Sequence, residues 1–174
     1  GKKWVESKKS YEPEIPEIPK MPEKVYFGKD GVAKIDLETR MWEFQNLAQE
    51  GAIVIHENGT ATRLGKGKMS ELREGDLLYL GGEGDYRHEF RNGKFERKYI
   101  SGGHMISFEQ NATAIRLETG DVVLIDHSQK GTTINRVDGT SIFIKQNSGK
   151  SNIARIREGD LMLVGNLAYR YRMG

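Results

Sequence analysis

The sequence predicts an all-β fold: a β-sandwich of about eleven short strands, preceded by a linker and one helix. Three observations carry that reading. The chain has 21 glycines against 4 prolines, a composition suited to many tight turns. From residue 51 onward, apolar and polar residues alternate in short runs, the period of a half-buried strand. Between the runs stand Glu57-Asn58-Gly59, Arg91-Asn92-Gly93, Glu118-Thr119-Gly120 and Val137-Asp138-Gly139, and Asn-Gly and Asp-Gly supply the positive φ that two-residue hairpins need.

Taken in order, residues 1–24 form a linker. Pro13, Pro16, Pro19 and Pro22 recur every third residue, the polyproline II repeat, with too little apolar surface to fold alone. Residues 25–50 form an N-terminal extension whose 37–49 stretch reads as a helix. Asp36 can cap its start and Gly51 can end it. Ile35, Leu37, Met41, Phe44, Leu47 and Ala48 approximate one apolar stripe, with Trp42 beside it. Residues 51–174 then form the sandwich. Its strands are expected at 52–56, 60–64, 77–80, 95–100, 105–109, 114–117, 122–125, 132–135, 141–144 and 161–164, with a last near 168–172. An internal echo joins Glu74-Gly75-Asp76-Leu77 to Glu158-Gly159-Asp160-Leu161, each a turn feeding an apolar strand that ends in glycine. The spacing from Gly75 to Gly159 makes two copies overlap the same strands. The echo therefore reads as one domain using the same device near both ends.

The chemistry is sparse. With no cysteine, disulfides, zinc knuckles, thiol nucleophiles and iron–sulfur clusters are excluded. His56, His88, His104 and His127 have no paired metal-ligand spacing, and Gly65-Lys66-Gly67-Lys68 is too short for a Walker loop. Asp121 and Asp126 flank one apolar strand, but an odd spacing places them on opposite faces. No enzyme, metal or cofactor is expected. No apolar run approaches the ~20 residues that span a bilayer, and the start Gly1-Lys2-Lys3-Trp4 lacks the apolar core of a secretory signal. A cytoplasmic location is the resulting expectation.

Two polar segments remain: Ser101-Gly102-Gly103-His104 and Asp126-His127-Ser128-Gln129-Lys130-Gly131-Thr132-Thr133-Ile134-Asn135. With the Gly81-Gly82 turn upstream, this ordered set resembles the forkhead-associated (FHA) domain family, whose pattern is Gly-Arg, then Ser-x-x-His, then Ser-x-x-Gly-Thr-x-x-Asn. Ser101 and His104 fit the second element. Ser128, Gly131, Thr132 and Asn135 fit the third, over a resemblance covering about residues 52–174. It implies a module that binds phosphothreonine peptides with loops at one end of a sandwich. Ser101 then donates its hydroxyl to phosphate, Gly102 takes a neighbouring position, and Gln129 and Lys130 face phosphate and peptide. Gly81, His104, Ser128, Gly131, Thr132 and Asn135 hold the loops. The family's arginine falls at Gly82, so the resemblance implies a divergent site whose charge comes from Arg97 or Lys98, just ahead of Ser101.

Net charge is +2 with histidines neutral, too balanced for a polyanion-coating protein. Residues 86–174 carry 14 basic and 9 acidic groups, which favours an anionic partner. Aromatic residues are not interleaved with the cations, which disfavours nucleic acid. Two functions are expected in that order: phosphothreonine-dependent protein–protein recognition, and an FHA-fold scaffold or self-association domain that no longer needs phosphate.

Overall fold

The computed structural model describes residues 24–100 and 105–173, which hold seventeen strands and no helix. The proline-rich linker lies outside the described residues.

The helix expected over 37–49 is absent, and residues 36–46 are a turn followed by a strand. Trp42, Phe44 and Asn46 are buried while Glu43 and Gln45 between them are half-exposed, an alternation of period two. The supposed stripe is broken, with Leu37, Met41 and Leu47 exposed. Asp36 does act as a cap, but for a turn. Its carboxylate accepts the Glu38 N–H at 2.9 Å and its carbonyl accepts Arg40 N–H at 2.7 Å. An aspartate serves either structure equally well, so the cap alone could not tell them apart.

Unit one comprises β1 (Lys24–Tyr26), β2 (Gly31–Ile35), β3 (Trp42–Asn46), β4 (Ala52–Ile55), β5 (Ala61–Leu64), β6 (Met69–Leu72), β7 (Leu77–Leu80), β8 (Tyr86–Arg91) and β9 (Lys94–Tyr99). Sheet I runs β1-β2-β3-β6 and sheet II β5-β4-β7-β8-β9. Unit two comprises β10 (Met105–Phe108), β11 (Ala112–Arg116), β12 (Val122–Asp126), β13 (Thr132–Asn135), β14 (Ser141–Ile144), β15 (Ile153–Ile156), β16 (Leu161–Val164) and β17 (Leu167–Arg170). Sheet III runs β10-β11-β12-β15 and sheet IV β14-β13-β16-β17. All pairings are antiparallel.

Unit two repeats the topology of unit one strand for strand, with β9 as the one addition. Trp42 at the start of β3 corresponds to Val122 of β12, Ala52 of β4 to Thr132 of β13, and Leu77 of β7 to Leu161 of β16. Between the second and third of these pairs the register shifts once, because the loop before β15 spans 145–152 where that before β6 spans 65–68. The echo is thus a duplication, and the division of the chain falls between β9 and β10 rather than at 50–51. Residues 25–50, expected as a separate extension, supply three of the four strands of sheet I. Equivalent positions do equivalent work. Asp76 and Asp160, each 1% exposed, accept the N–H of Arg73 (2.9 Å) and Arg157 (2.8 Å). The same carboxylates meet His56 at 3.0 Å and Arg136 at 2.6 Å, at matching positions.

Each unit encloses a core between its two sheets. In unit one, Trp42, Phe44 and Leu72 of sheet I meet Val54, Leu78 and Leu80 of sheet II; in unit two, Leu124 and Ile156 meet Ile134, Met162 and Val164. A third core joins the units. Ile53, Ala61 and Tyr79 on the outer face of sheet II pack against Ile115, Val123 and Ile125 of sheet III. Burial pushes the Tyr79 phenol up to about 12. Polar groups stitch this seam at its margins. Arg87, almost wholly buried, reaches Glu118 at 3.0 Å, and Lys98 reaches the same carboxylate at 2.8 Å. Asn152 is 4% exposed and satisfied three times over. Its side chain accepts Ala61 N–H and donates to the carbonyls of Ala61 and Asp126, each at 2.9 Å.

Asn152→Ala leaves three backbone groups at the seam without partners. It is expected to lower stability by about 2–4 kcal/mol in urea denaturation, with the exposed Lys150→Ala in the same loop as the neutral control.

Candidate functional site

The loop 127–131 leaves β12 at one end of sheet III. Beneath it, Asp126 is wholly buried and its carboxylate is engaged on both oxygens. It accepts the hydroxyls of Ser128 (2.7 Å) and Thr132 (2.8 Å) and the N–H of Gln146 (3.1 Å). Ser128 Oγ in turn accepts Gly131 N–H at 2.9 Å. Gly131 has φ of 88° and the Phe143 ring occupies the place where a Cβ would sit, so only glycine fits. Asn46, the equivalent of Asp126 in unit one, does the same job with an amide, donating to the carbonyls of Ala48 (2.9 Å) and Leu64 (3.1 Å).

His127 closes the other side of the loop. Its Nδ1 donates to the Gln110 carbonyl at 3.0 Å, so Nε2 accepts from the buried Thr113 hydroxyl at 2.9 Å. Burial first, and the Arg63 charge second, hold its pKa below the ordinary 6.5, which suits this neutral tautomer.

Between this loop, the β10–β11 turn and the β16–β17 turn runs an open groove of about 730 Å³. Phe108 and Tyr169, ring centroids 4.8 Å apart, give it an apolar side. Gln129, Lys130, Asn111 and Asn166 give it a polar rim, and with His127 neutral its charges are Lys130 and Glu109, one of each sign. A second groove of about 620 Å³ follows the edge of β5 between the units, where Arg63, Arg73 and Lys150 face Glu71 alone. Arg73 already pairs with Glu71 at 2.8 Å.

The structure brings together Gln129, Lys130, Ser128, Gly131 and Thr132, and separates them from the rest of the expected set. Arg97 lies on β9 with its guanidinium 3.6 Å from the Tyr86 ring centroid, and Lys98 is held by Glu118. Glu118 precedes β12 whereas the 127–131 loop follows it, and a five-residue strand is about 16 Å long. These cations therefore do not supply the loop with charge. Ser101, Gly102 and His104 lie outside the described residues. The next residue, Met105, pairs with Ile115 at the Glu118 end of sheet III. Asn135 sits at the far end of β13, accepting the Ser141 hydroxyl at 2.6 Å. Gly81 and Gly82 belong to unit one, and their equivalents in unit two are Gly165 and Asn166. Glu50 and Gly51 crowd Gly81, and a Cβ on Gly82 would meet the Asp30 carboxylate at 2.6 Å. The position of the family's arginine thus faces an acid.

Sequence reasoning missed the groove's Glu109, Asn111 and Asn166. They stand on the β10–β11 and β16–β17 turns, and no local pattern marks those turns as facing the 127–131 loop. Recognising the duplication was the signal that would have found them, since it aligns Gly165-Asn166 with Gly81-Gly82. No protein-family model, curated protein or solved structure matches the chain.

Two outcomes follow from this geometry. Asp126→Ala is expected to cost about 3 kcal/mol, whereas Asp121→Ala, which breaks two exposed contacts, with Arg155 at 3.1 Å and the Thr119 hydroxyl at 3.2 Å, costs under about 1 kcal/mol; chemical denaturation compares them. Because the folded state holds His127 neutral below its ordinary pKa, the unfolded chain takes up the proton first as pH falls. Stability is therefore expected to drop as pH is lowered through 6.5, and the drop shrinks in His127→Gln, read by denaturation at neutral and mildly acidic pH.

Proposed function

We propose that this chain is a non-catalytic interaction scaffold of two packed β-units, in which an FHA-like loop no longer depends on phosphate. The Ser128-x-x-Gly131-Thr132 turn and the paired Glu-Gly-Asp turns support the FHA-like reading. One observation carries the loss of phosphate dependence: position 82, where the family's arginine falls, faces the Asp30 carboxylate, while Asp126 holds the Ser128 and Thr132 hydroxyls. A dianion held at that turn would find its donors engaged and a buried negative charge behind them. Only Lys130 among the groove's lining side chains offers a fixed positive charge, and Glu109 offsets it.

A second reading keeps phosphate but moves it. The groove between the units has Arg63 and Lys150 in excess of its single acid, and a half-buried guanidinium suits a phosphorylated side chain.

Calorimetric titration of paired phosphorylated and unphosphorylated threonine peptides decides between them. The scaffold reading expects no gain from the phosphate, in wild type or in Lys130→Ala. Micromolar binding that requires phosphate and disappears in Arg63→Gln or Lys150→Gln establishes the second reading and overturns the first. Loss in Lys130→Ala restores the loop as the site.

A further inference from the structure

β9 is the one strand of unit one without a counterpart in unit two. It pairs with the outer edge of β8, whereas β17, the equivalent of β8, ends sheet IV with that edge uncovered among the described residues. Register sets the correspondence: Ala168 stands for Arg87, Tyr169 for His88 and Arg170 for Glu89. Tyr171 continues it. Its N–H donates to the Asp160 carbonyl at 2.9 Å and its carbonyl accepts Gly159 N–H at 2.9 Å, as Phe90 does with Asp76 (2.9 Å) and Gly75 (2.8 Å). With Tyr171 turned toward β16, alternation turns the N–H and C=O groups of Ala168 and Arg170 toward the open edge. In unit one the same groups of Arg87 and Glu89 are met by Lys98 and Glu96 of β9.

The side chains beside the edge correspond as well. Phe27 stands 4.9 Å from His88 and Phe108 stands 4.8 Å from Tyr169, both pairs edge-to-face and at equivalent positions. In unit one Phe95 of β9 closes this corner, its ring centroid 5.0 Å from Phe27 and 5.0 Å from Phe90. In unit two the Phe108–Tyr169 pair opens instead into the groove of about 730 Å³. The charge at the edge has also changed sign. Glu96 of β9 faces Glu89 across the ladder, and the counterpart of Glu89 is the exposed Arg170. An acid in the place of Glu96 therefore meets a cation on β17.

We infer that the free edge of β17 binds an extended, unphosphorylated peptide of a partner protein as an added antiparallel strand, with an apolar side chain seated against Phe108 and Tyr171 and an acidic one opposite Arg170. The inference deepens the scaffold reading and rests on it. The occupant follows from β9, since the fold already covers the equivalent edge with a strand that places an aromatic ring in the same corner. In such a mode main-chain hydrogen bonds supply affinity and alternate side chains supply choice. A second copy of β17 suits the edge less well, because it brings its own Arg170 and Arg172 to the ladder, where like charges repel.

The probe is a synthetic peptide copying residues 92–100, titrated into the intact chain and followed by calorimetry and by amide chemical shifts. Micromolar binding is expected, with shifts confined to β17 and the Phe108 groove. Methylating the peptide nitrogens of Glu96 and Lys98, which face the edge, is expected to abolish binding, and methylating those of Phe95 and Arg97, which face away, to leave it. Peptides carrying Phe95→Ala or Glu96→Lys are expected to bind about tenfold more weakly. Ala168→Pro in the protein removes one outward N–H at an edge that tolerates proline, and it is expected to lose binding with the fold intact. Should that variant not fold, the methylated peptides on the wild type decide alone. No binding, binding indifferent to the two edge-facing methyl groups, or shifts on β8 that report displacement of β9 each overturn the inference. A chain that doubles its mass in light scattering without peptide, with β17 protected, also overturns it in favour of a second copy. The phosphopeptide titration reports separately on the scaffold reading, which stands if only this peptide fails.

Discussion

Sheets II and III are apolar on both faces, and that single constraint orders the molecule. A sheet with one buried face needs one partner, whereas a sheet with two needs a neighbour on each side. Val54, Leu78 and Leu80 look inward to sheet I while Ile53 and Tyr79, one residue along the same strands, look outward to sheet III. The stack I–II–III–IV covers all of them. Fully burying each large apolar side chain contributes about 1.5–3 kcal/mol, so the seam adds to stability on the same scale as either unit's core.

The seam is also where polar chemistry is concentrated. Arg87, Glu118 and Lys98 cluster at one margin, and Asn152, Ala61 and Asp126 at the other. Asn152 stands in the 145–152 loop, which is longer in unit two than its 65–68 counterpart in unit one. The insertion supplies what duplication alone could not, an amide able to satisfy the backbone of β5 in the preceding unit. Divergence elsewhere kept the structural role and changed the chemistry. His56 and Arg136 meet the same buried aspartate position, and Asn46 and Asp126 organise the equivalent loops, Asn46 by both donating and accepting and Asp126 by accepting alone.

This economy bears on the groove beside residues 127–131. A loop whose hydroxyls and glycine are all engaged in holding its own shape is rigid, and it displays Gln129 and Lys130 without bending to reach a ligand. The groove those two side chains line is bounded by the turns between β10 and β11 and between β16 and β17. Recognition there would read shape and hydrogen bonding more than charge. The excess of positive charge lies instead beside the seam, where Arg63 stands close enough to lower the pKa of His127.

The sequence by itself determined the all-β class, the hairpins at Asn58-Gly59, Asn92-Gly93 and Asp138-Gly139, and several strands to the residue, because turn chemistry and period-two alternation are local properties. Leu77–Leu80, Thr132–Asn135, Ser141–Ile144 and Leu161–Val164 fall where alternation and turns place them. The loop Ser128–Thr132 was legible for the same reason, its glycine and hydroxyls being set by contacts a few residues away. What only the tertiary structure decided was pairing. β3 hid behind an apolar stripe that fits a helix nearly as well, and once it was read as one, unit one lost the sheet that made the Glu-Gly-Asp echo a duplication. Which loop faces which turn depends on strand order, which local patterns do not encode. Arg97 and Lys98 therefore lie at the opposite end of sheet III from the 127–131 loop, held by Tyr86 and Glu118.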